Sequence, residues 1–290
     1  YRRDLLALSG ITAPPATWEE LGETALRVMA GSETPYGFVF QGADYEGGAA
    51  NAAEFIWSAG GDVMTSRLTV TGVVVNTAME VDRVAVGSDE AARGLDIARG
   101  LIEDGVAPAA VADFREAESL EAFASGEAVY LRSWPYAYRA LLRAGLTEDQ
   151  VGLAPLPAAG AAGESASALG GWNLMVNARS SEAERRAAWT LIRYLTDPAQ
   201  QRRQAVEAGL LPVLEELYDD PRLTEEVPVL GVGKALFADR LQERPMTPFY
   251  GALSASISSA FNRLLRGELD GGEAAALLDE ELRAIVARNR

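Results

Sequence analysis

The feature that most constrains the fold of this chain is a repeated order of elements: a short β-rich run, a polar or aromatic turn, and a helix. Residues 37–41 (GFVFQ) predict a buried strand, residues 42–48 (GADYEGG) form a polar loop, and a helix is expected from about residue 49 to residue 59. The run Ala128–Leu131 predicts another strand, which leads through Ser133–Tyr136 into a further helix. Strands that alternate with helices are typical of α/β proteins, so both turns lie where such proteins usually bind ligands.

The rest of the chain divides into a mixed part and a helical part. Residues 71–75 and 81–86 are β-like and predict a hairpin or a sheet edge. From Ser180 onward the pattern is helical, and the late helices are expected at about 224–241, 251–266 and 272–287. An α/β region followed by a helical region predicts one sheet wrapped by the later helices.

The charge and the missing residue types exclude several classes of function. A net charge of −16 over 290 residues disfavours a nucleic-acid backbone or an anionic membrane surface as a partner. Because the chain contains no Cys and no His, thiol catalysis, the usual zinc sites and histidine general bases are excluded. No apolar run approaches the roughly 20 residues needed to span a bilayer. No P-loop or dinucleotide motif indicates a cofactor.

A tryptophan preceded by two glycines stands out in the segment Leu169–Asn177 (LGGWNLMVN). Gly170 and Gly171 permit turns closed to other residues and leave room for a second molecule. Trp172 offers a flat ring with one polar N–H, which suits stacking on an apolar face beside a hydrogen-bonding one. On these residues alone, a structural role is slightly favoured over a ligand-binding role. In the structural role the glycines form a turn before a core strand and Trp172 packs inside. The other aromatic turns reverse that preference.

Four turns at element junctions together predict a ligand site. They are Asp44–Gly47, Ser133–Tyr136, Gly170–Trp172 and Arg244–Tyr250. Their rings and charged groups are Tyr45, Trp134, Trp172, the acceptor Glu46 and the forked donor Arg244. Such groups match a sugar, because a pyranose presents apolar C–H faces together with hydroxyls that hydrogen-bond strongly to charged partners. Taken singly, each turn is as well explained by a structural aromatic or a surface ion pair.

An enzyme is the minority interpretation. Glycoside hydrolysis requires two carboxylates across the scissile bond, one of them with a raised pKa. Glu46 could serve as one, but no second acid stands in a comparable turn, and the chain has no G-x-S-x-G elbow. We therefore expect a binding protein and no catalytic residue.

Several motifs in a fixed order resemble those of a known family. They are YRRDLL and PPATWEEL near the start, QGADYEGG, SWPY, APLP followed by LGGWNLMVN, and RPMTPFY near the end. Over essentially its whole length, the chain resembles the extracellular solute-binding proteins (family 1) of ATP-driven ABC sugar importers. Within that family it is most similar to the trehalose/maltose-binding branch. GGW and SWPY are the most specific motifs, whereas PPxTWEEL occurs across the wider family.

The resemblance implies an α/β fold of the type II periplasmic-binding-protein kind, with two lobes and a hinge that the chain crosses three times. On that basis the chain begins after the first crossing, and we expect most of the N-terminal lobe to be missing from it. Residues 1–170 would form the first part of the C-terminal lobe. Residues 171–210 would contain hinge crossings and a helical part of the N-terminal lobe, and residues 211–290 would be return helices of the C-terminal lobe.

The resemblance also implies the ligand contacts and the partners. The expected ligand-binding residues are Tyr45, Glu46, Trp134, Gly170, Gly171, Trp172 and Arg244. The tryptophans would stack on sugar rings, the glycines would offer backbone groups, and the charged residues would hydrogen-bond to hydroxyls. The implied function is capture of a disaccharide such as trehalose or maltose and its delivery to the transmembrane permease of an importer. We expect a monomer outside the cytoplasm, periplasmic or lipid-anchored, with no cofactor and no nucleic-acid partner.

Two alternatives remain open at this point. One is a carbohydrate-active enzyme that uses Glu46. The other is a protein of the same fold that binds a non-sugar solute, such as a polyamine or a metal ion. The lack of His and the presence of several tryptophans in turns count against the second alternative.

Overall fold

Helices dominate the part of the chain that the computed structural model describes, which is residues 1–67, 80–160 and 163–289. The first six helices are α1 (Arg3–Leu8), α2 (Trp18–Ala30), α3 (Glu46–Ser58), α4 (Asp89–Glu103), α5 (Glu116–Ala124) and α6 (Tyr136–Arg143). The later helices are α7 (Glu182–Leu195), α8 (Pro198–Ala208), α9 (Pro221–Glu226), α10 (Val229–Asp239), α11 (Tyr250–Leu265) and α12 (Gly271–Arg288). The strands are β1 (Tyr36–Val39), β2 (Met64–Arg67), β3 (Glu80–Val84), β4 (Ala128–Leu131), β5 (Ser167–Ala168) and β6 (Leu241–Gln242).

Side-chain caps determine where two of the early helices begin. The Thr17 hydroxyl accepts a hydrogen bond from the Glu20 N–H at 3.2 Å, and the Glu20 carboxylate accepts one from the Ala16 N–H at 2.7 Å. These bonds satisfy backbone donors that have no partner within the helix, so Thr17 caps α2. The spacing of Thr17 and Glu20 in the run TWEE is a short pattern that predicts this cap. Ser88 caps α4 in the same way by accepting from the Ala91 N–H at 3.1 Å.

Helix α3 lies at the centre of the main hydrophobic core. Its residues 47–58 are all buried, and it packs against α4, α11 and β5. The rings of Trp18, Phe38, Phe40, Phe55 and Phe261 form a chain of contacts around it, with centroids between 4.6 and 6.4 Å apart. The helix begins at Glu46, earlier than the expected start near residue 49, so Glu46 lies in its first turn.

The described strands pair in three two-stranded sheets, so the single sheet that we predicted is wrong for this part of the chain. β1 pairs with β4 and β5 pairs with β6, both in parallel, while β2 and β3 are antiparallel. An irregular segment occupies the other edge of β1, where the N–H groups of Gly37 and Phe38 both donate to the Val106 carbonyl. β3 confirms residues 81–84 of the predicted run 81–86 as a strand, and the run 71–75 lies outside the described residues.

The segment from α7 to α10 is packed less tightly than the core around α3. A smaller hydrophobic cluster forms within residues 217–230, and Leu153 and Val206 pack against it. Among the described residues, α7 buries none of its own side chains, and Trp189 is 58% exposed. None of the helices in the described ranges is both long and apolar enough to cross a membrane.

A close approach between α3 and α4 depends on Gly94. A Cβ at this position would lie 2.4 Å from the Phe55 carbonyl oxygen and 2.8 Å from Ile56 Cα. We predict that Gly94→Ala lowers the free energy of unfolding by about 1–3 kcal/mol, because the added methyl group overpacks the contact. Urea denaturation measures this loss.

Gly100→Ala on the same helix is the matched control. A Cβ at Gly100 meets no heavy atom of the described structure within 4 Å. Since Ala favours a helix over Gly by up to about 1 kcal/mol, this variant should be neutral or more stable. Equal losses in the two variants would contradict the close contact at Gly94.

Candidate functional site

Parallel strand pairing brings the four predicted turns together in pairs. The turns follow β1, β4, β5 and β6 along the chain. β1 is paired with β4, and β5 with β6; the Leu169 N–H extends the second pairing by donating to the Gln242 carbonyl at 2.8 Å. Because parallel strands end at the same edge, each pair delivers two turns side by side.

The two pairs of turns meet at Gly170. A Cβ at Gly170 would lie 3.4 Å from Cζ3 of Trp134 and 3.9 Å from a terminal guanidinium nitrogen of Arg244. Arg244 in turn donates a hydrogen bond to the Glu46 carboxylate. Four of the seven predicted residues, namely Glu46, Trp134, Gly170 and Arg244, therefore form one cluster, which we call the candidate site.

Three donors hold the Glu46 carboxylate. Arg244 and the Ser254 hydroxyl each donate to it, and the Tyr250 hydroxyl donates to its Oε1 at 2.7 Å. Its place in the first turn of α3 adds the favourable field of a helix N-terminus. The Glu46 side chain is still 45% exposed, so it is oriented before any ligand arrives and remains accessible. Sequence reasoning missed Ser254, which follows Tyr250 by one turn of α11.

The Trp134 ring is half-buried and fixed on two sides. Its Nε1–H donates to Glu116 Oε1 at 3.2 Å. The Arg132 guanidinium carbon lies 4.1 Å from the ring centroid, which is a cation–π arrangement. Because Arg132 covers one face of the indole, a ligand ring can stack only on the other face.

Tyr45 lies next to this cluster at the start of α3. The Arg115 guanidinium carbon is 4.7 Å from its ring centroid. The Tyr45 hydroxyl is buried and has no hydrogen-bond partner among the described residues. Burial, followed by the effect of the Glu116 carboxylate beside it, holds the pKa of Tyr45 well above its usual range. A Cβ at Gly47 would overlap this hydroxyl at 2.1 Å, so the ring position requires a glycine there.

Glu116 is a functional candidate that sequence reasoning missed. It begins α5 and faces Trp134 and Tyr45, and together with burial it also raises the pKa of Tyr136. No aromatic turn surrounds Glu116 in the sequence, so local pattern alone gave no reason to select it. The fold brings it to the candidate site through the hydrogen bond with the Trp134 indole.

Trp172 is not packed inside the described structure. Its side chain is 95% exposed, and Met175 further along the same segment is 87% exposed. No described heavy atom lies within 4 Å of a Cβ placed at Gly171. The structure therefore brings Gly170 into the candidate site, while the roles of Gly171 and Trp172 stay predictions.

Comparison with known proteins identifies the family. The profile of the bacterial extracellular solute-binding proteins matches residues 1–202. A probable ABC transporter-binding protein of Deinococcus radiodurans is 36% identical over 296 residues, which cover 99% of this chain and 66% of that protein. This chain belongs to the bacterial extracellular solute-binding proteins.

A solved structure shows the same fold. MalE3 of T. maritima, determined with maltose bound, is 34% identical and gives a TM-score of 0.87 over 98% of this chain and 69% of that chain. The predicted α/β fold of the type II periplasmic binding proteins is thereby confirmed. A maltotriose-binding protein of Pyrococcus abyssi is 27% identical over 161 residues, which cover 54% of this chain and 34% of that protein. The chain spans about two thirds of the length of the Deinococcus and T. maritima relatives.

The contact between Tyr250 and Glu46 predicts that the Tyr250 hydroxyl ionises at a higher pH than an ordinary tyrosine. Burial, together with the Glu46 carboxylate, raises the pKa of Tyr250 to about 12. Tyrosines of the unfolded chain ionise near pH 10. The stabilisation from neutral Tyr250 is therefore complete below about pH 10 and is lost as the pH rises through about 12. We predict that Glu46→Gln lowers the pKa of Tyr250, because the negative charge is removed while the burial remains.

Tyr218 provides the control, since burial alone raises its pKa to about 12. Ultraviolet difference titration follows the tyrosinate band as the pH rises. Comparison of the wild type with Tyr250→Phe and with Tyr218→Phe assigns the titrations of Tyr250 and Tyr218. Glu46→Gln should shift the Tyr250 titration and leave that of Tyr218 unchanged. A wild-type Tyr250 that titrates at the ordinary pKa would contradict the contact with Glu46.

Proposed function

We propose that this protein is the sugar-binding component of an ATP-driven importer and that the candidate site captures a disaccharide such as maltose or trehalose. The observation that carries the proposal is the half-buried indole of Trp134, with one face covered by Arg132, beside the side-chain-free Gly170 and the oriented Glu46–Arg244 pair. The apolar face of a pyranose suits the indole, and its hydroxyls suit the charged pair. The maltose-bound and maltotriose-binding relatives support an α-glucoside as ligand.

The proposed mechanism is closure of two lobes around the sugar. Residues 1–170 and 211–290 would form most of one lobe, and residues 171–210 would carry the hinge crossings and a helical part of the other. Ligand would stabilise the closed state because it contacts both sides of the cleft. The exposed Trp172 would complete the stacking surface, and the closed protein would deliver the sugar to the permease outside the cytoplasm. We propose a monomer for this function.

An enzyme is the second candidate function, favoured by one observation. Glu116 places a second carboxylate at the candidate site, next to Trp134. Against it, the family consists of solute-binding proteins. Incubation of the full-length protein with maltose and with trehalose, followed by product analysis, separates the two functions. Release of glucose would favour the enzyme.

A panel of solutes tests the class of ligand directly. Binding to the folded state raises stability by about 2.7 kcal/mol when the ligand is present at 100 times its Kd. We expect maltose or trehalose to raise the melting temperature of the full-length protein and polyamines to have no effect. A panel in which only a non-sugar solute raises the melting temperature would refute the proposed function.

Trp172→Ala tests the predicted stacking residue. We expect the variant to bind maltose more weakly by about 1–3 kcal/mol, the scale of a lost aromatic anchor. Isothermal titration calorimetry gives the change in Kd. The matched control is Trp189→Ala, since Trp189 is also an exposed tryptophan but lies on α7. An unchanged Kd for every sugar tested would remove Trp172 from the site.

A further inference from the structure

A buried ion pair lies directly behind the candidate site. Nε and a terminal nitrogen of Arg132 donate to the two oxygens of Glu54, each at 2.7 Å. The side chains are only 3% and 5% exposed. Arg132 follows β4 and precedes Trp134 by two positions, while Glu54 lies in the middle of α3.

The remaining polar atoms of the pair are also hydrogen-bonded. The third guanidinium nitrogen of Arg132 donates to Gln41 Oε1 at 3.0 Å. Gln41 Nε2 donates to the Arg132 carbonyl at 2.9 Å and to Ser119 Oγ at 2.7 Å. A buried ion pair is tolerated when it is satisfied in this way, but apolar residues of similar size are often as stable or more so. The attraction between the two charges alone therefore does not explain why they occupy this position.

The pair contacts both elements that meet in the candidate site. The Arg132 guanidinium stacks on the Trp134 ring, 4.1 Å from its centroid. Glu54 Oε1 accepts a hydrogen bond from the Ala168 N–H at 3.0 Å, and Ala168 ends the strand that leads to Gly170. Two apolar side chains would fill the same volume, but they could neither place a flat cation on the indole face nor accept the Ala168 N–H.

We propose that Glu54 and Arg132 are positioning residues for ligand binding. The pair fixes the plane of the Trp134 indole and its distance from Gly170, where a Cβ would already lie 3.4 Å from the ring. Arg132 also covers one face of the indole, so that a ligand ring can stack only on the opposite face. The identity of that ligand ring as a sugar rests on the proposed function, whereas the positioning of Trp134 does not.

The first experiment tests the positioning without a ligand. Arg132→Met combined with Glu54→Leu removes both charges together, so neither is left buried and unpaired, and the variant should fold. The full-length protein labelled with 5-fluorotryptophan gives a 19F signal for each tryptophan, and Trp134→Phe assigns the Trp134 signal. We expect the double variant to shift or broaden that signal and to leave those of Trp18 and Trp189 unchanged. A Trp134 signal identical to that of the wild type would overturn the inference.

The second experiment measures the consequence for binding, with maltose as the probe. We expect the double variant to bind maltose about tenfold more weakly, a partial loss of a stacked anchor. In a Trp134→Ala background the same two substitutions should weaken binding by clearly less than tenfold, because the part of the effect that acts through the indole is absent. A tenfold loss that persists without Trp134, or wild-type affinity in the folded double variant, would overturn the inference.

A control variant separates positioning from general destabilisation. Leu278 of α12 is fully buried in the main core, so Leu278→Ala leaves a cavity and lowers the melting temperature. We expect its maltose Kd and its Trp134 signal to match the wild type. Losses equal to those of the double variant would assign the effect to destabilisation and overturn the inference. If the wild-type protein bound no sugar at all, the proposed function would fall, while the 19F experiment would still decide the positioning.

Discussion

The burial of α3 on all sides is the constraint on which the rest of the structure depends. Residues 47–58 of this helix are all buried, the polar Asn51 and Glu54 among them, and α4, α11 and β5 pack against it. Its first turn carries Glu46, its middle carries Glu54, and its C-terminal part carries the Phe55 ring of the aromatic core. Because the helix cannot shift without disturbing the core, the two carboxylates are held at fixed places behind and within the candidate site.

Parallel strand pairing supplies the second constraint. β1 pairs with β4, and β5 pairs with β6. Each of the four strands is followed by a turn that carries a residue of the candidate site or next to it. Gly170 lies where the two pairs of turns meet, and a Cβ there would be in van der Waals contact with both Trp134 and Arg244. Close packing of rigid elements thus produces a small cluster of polar and aromatic groups from distant parts of the sequence.

Sequence reasoning found the parts of the structure that depend on local signals. The cap at Thr17, the strand and turn before Tyr45, and the aromatic turns at Trp134 and Gly170 all follow from short patterns. It failed where a long-range contact decides the outcome. An irregular segment at Val106 accepts hydrogen bonds from β1, which no local pattern reveals, and the described strands pair only in twos instead of forming the predicted single sheet. Glu116 was missed for the same reason, because its role depends on the indole to which it hydrogen-bonds.

The two tryptophans of the proposed binding surface differ in a way that bears on its energetics. Trp134 is restrained at its ring face and at its N–H, so stacking on it costs little ordering of the side chain. Trp172 is 95% exposed, and burying an indole of roughly 150–250 Å² at about 25 cal/mol per Å² yields at most about 4–6 kcal/mol. The restrained ring is therefore suited to define the orientation of a ligand. The exposed ring holds the larger unused hydrophobic free energy, which would become available only if the proposed ligand and lobe closure covered it.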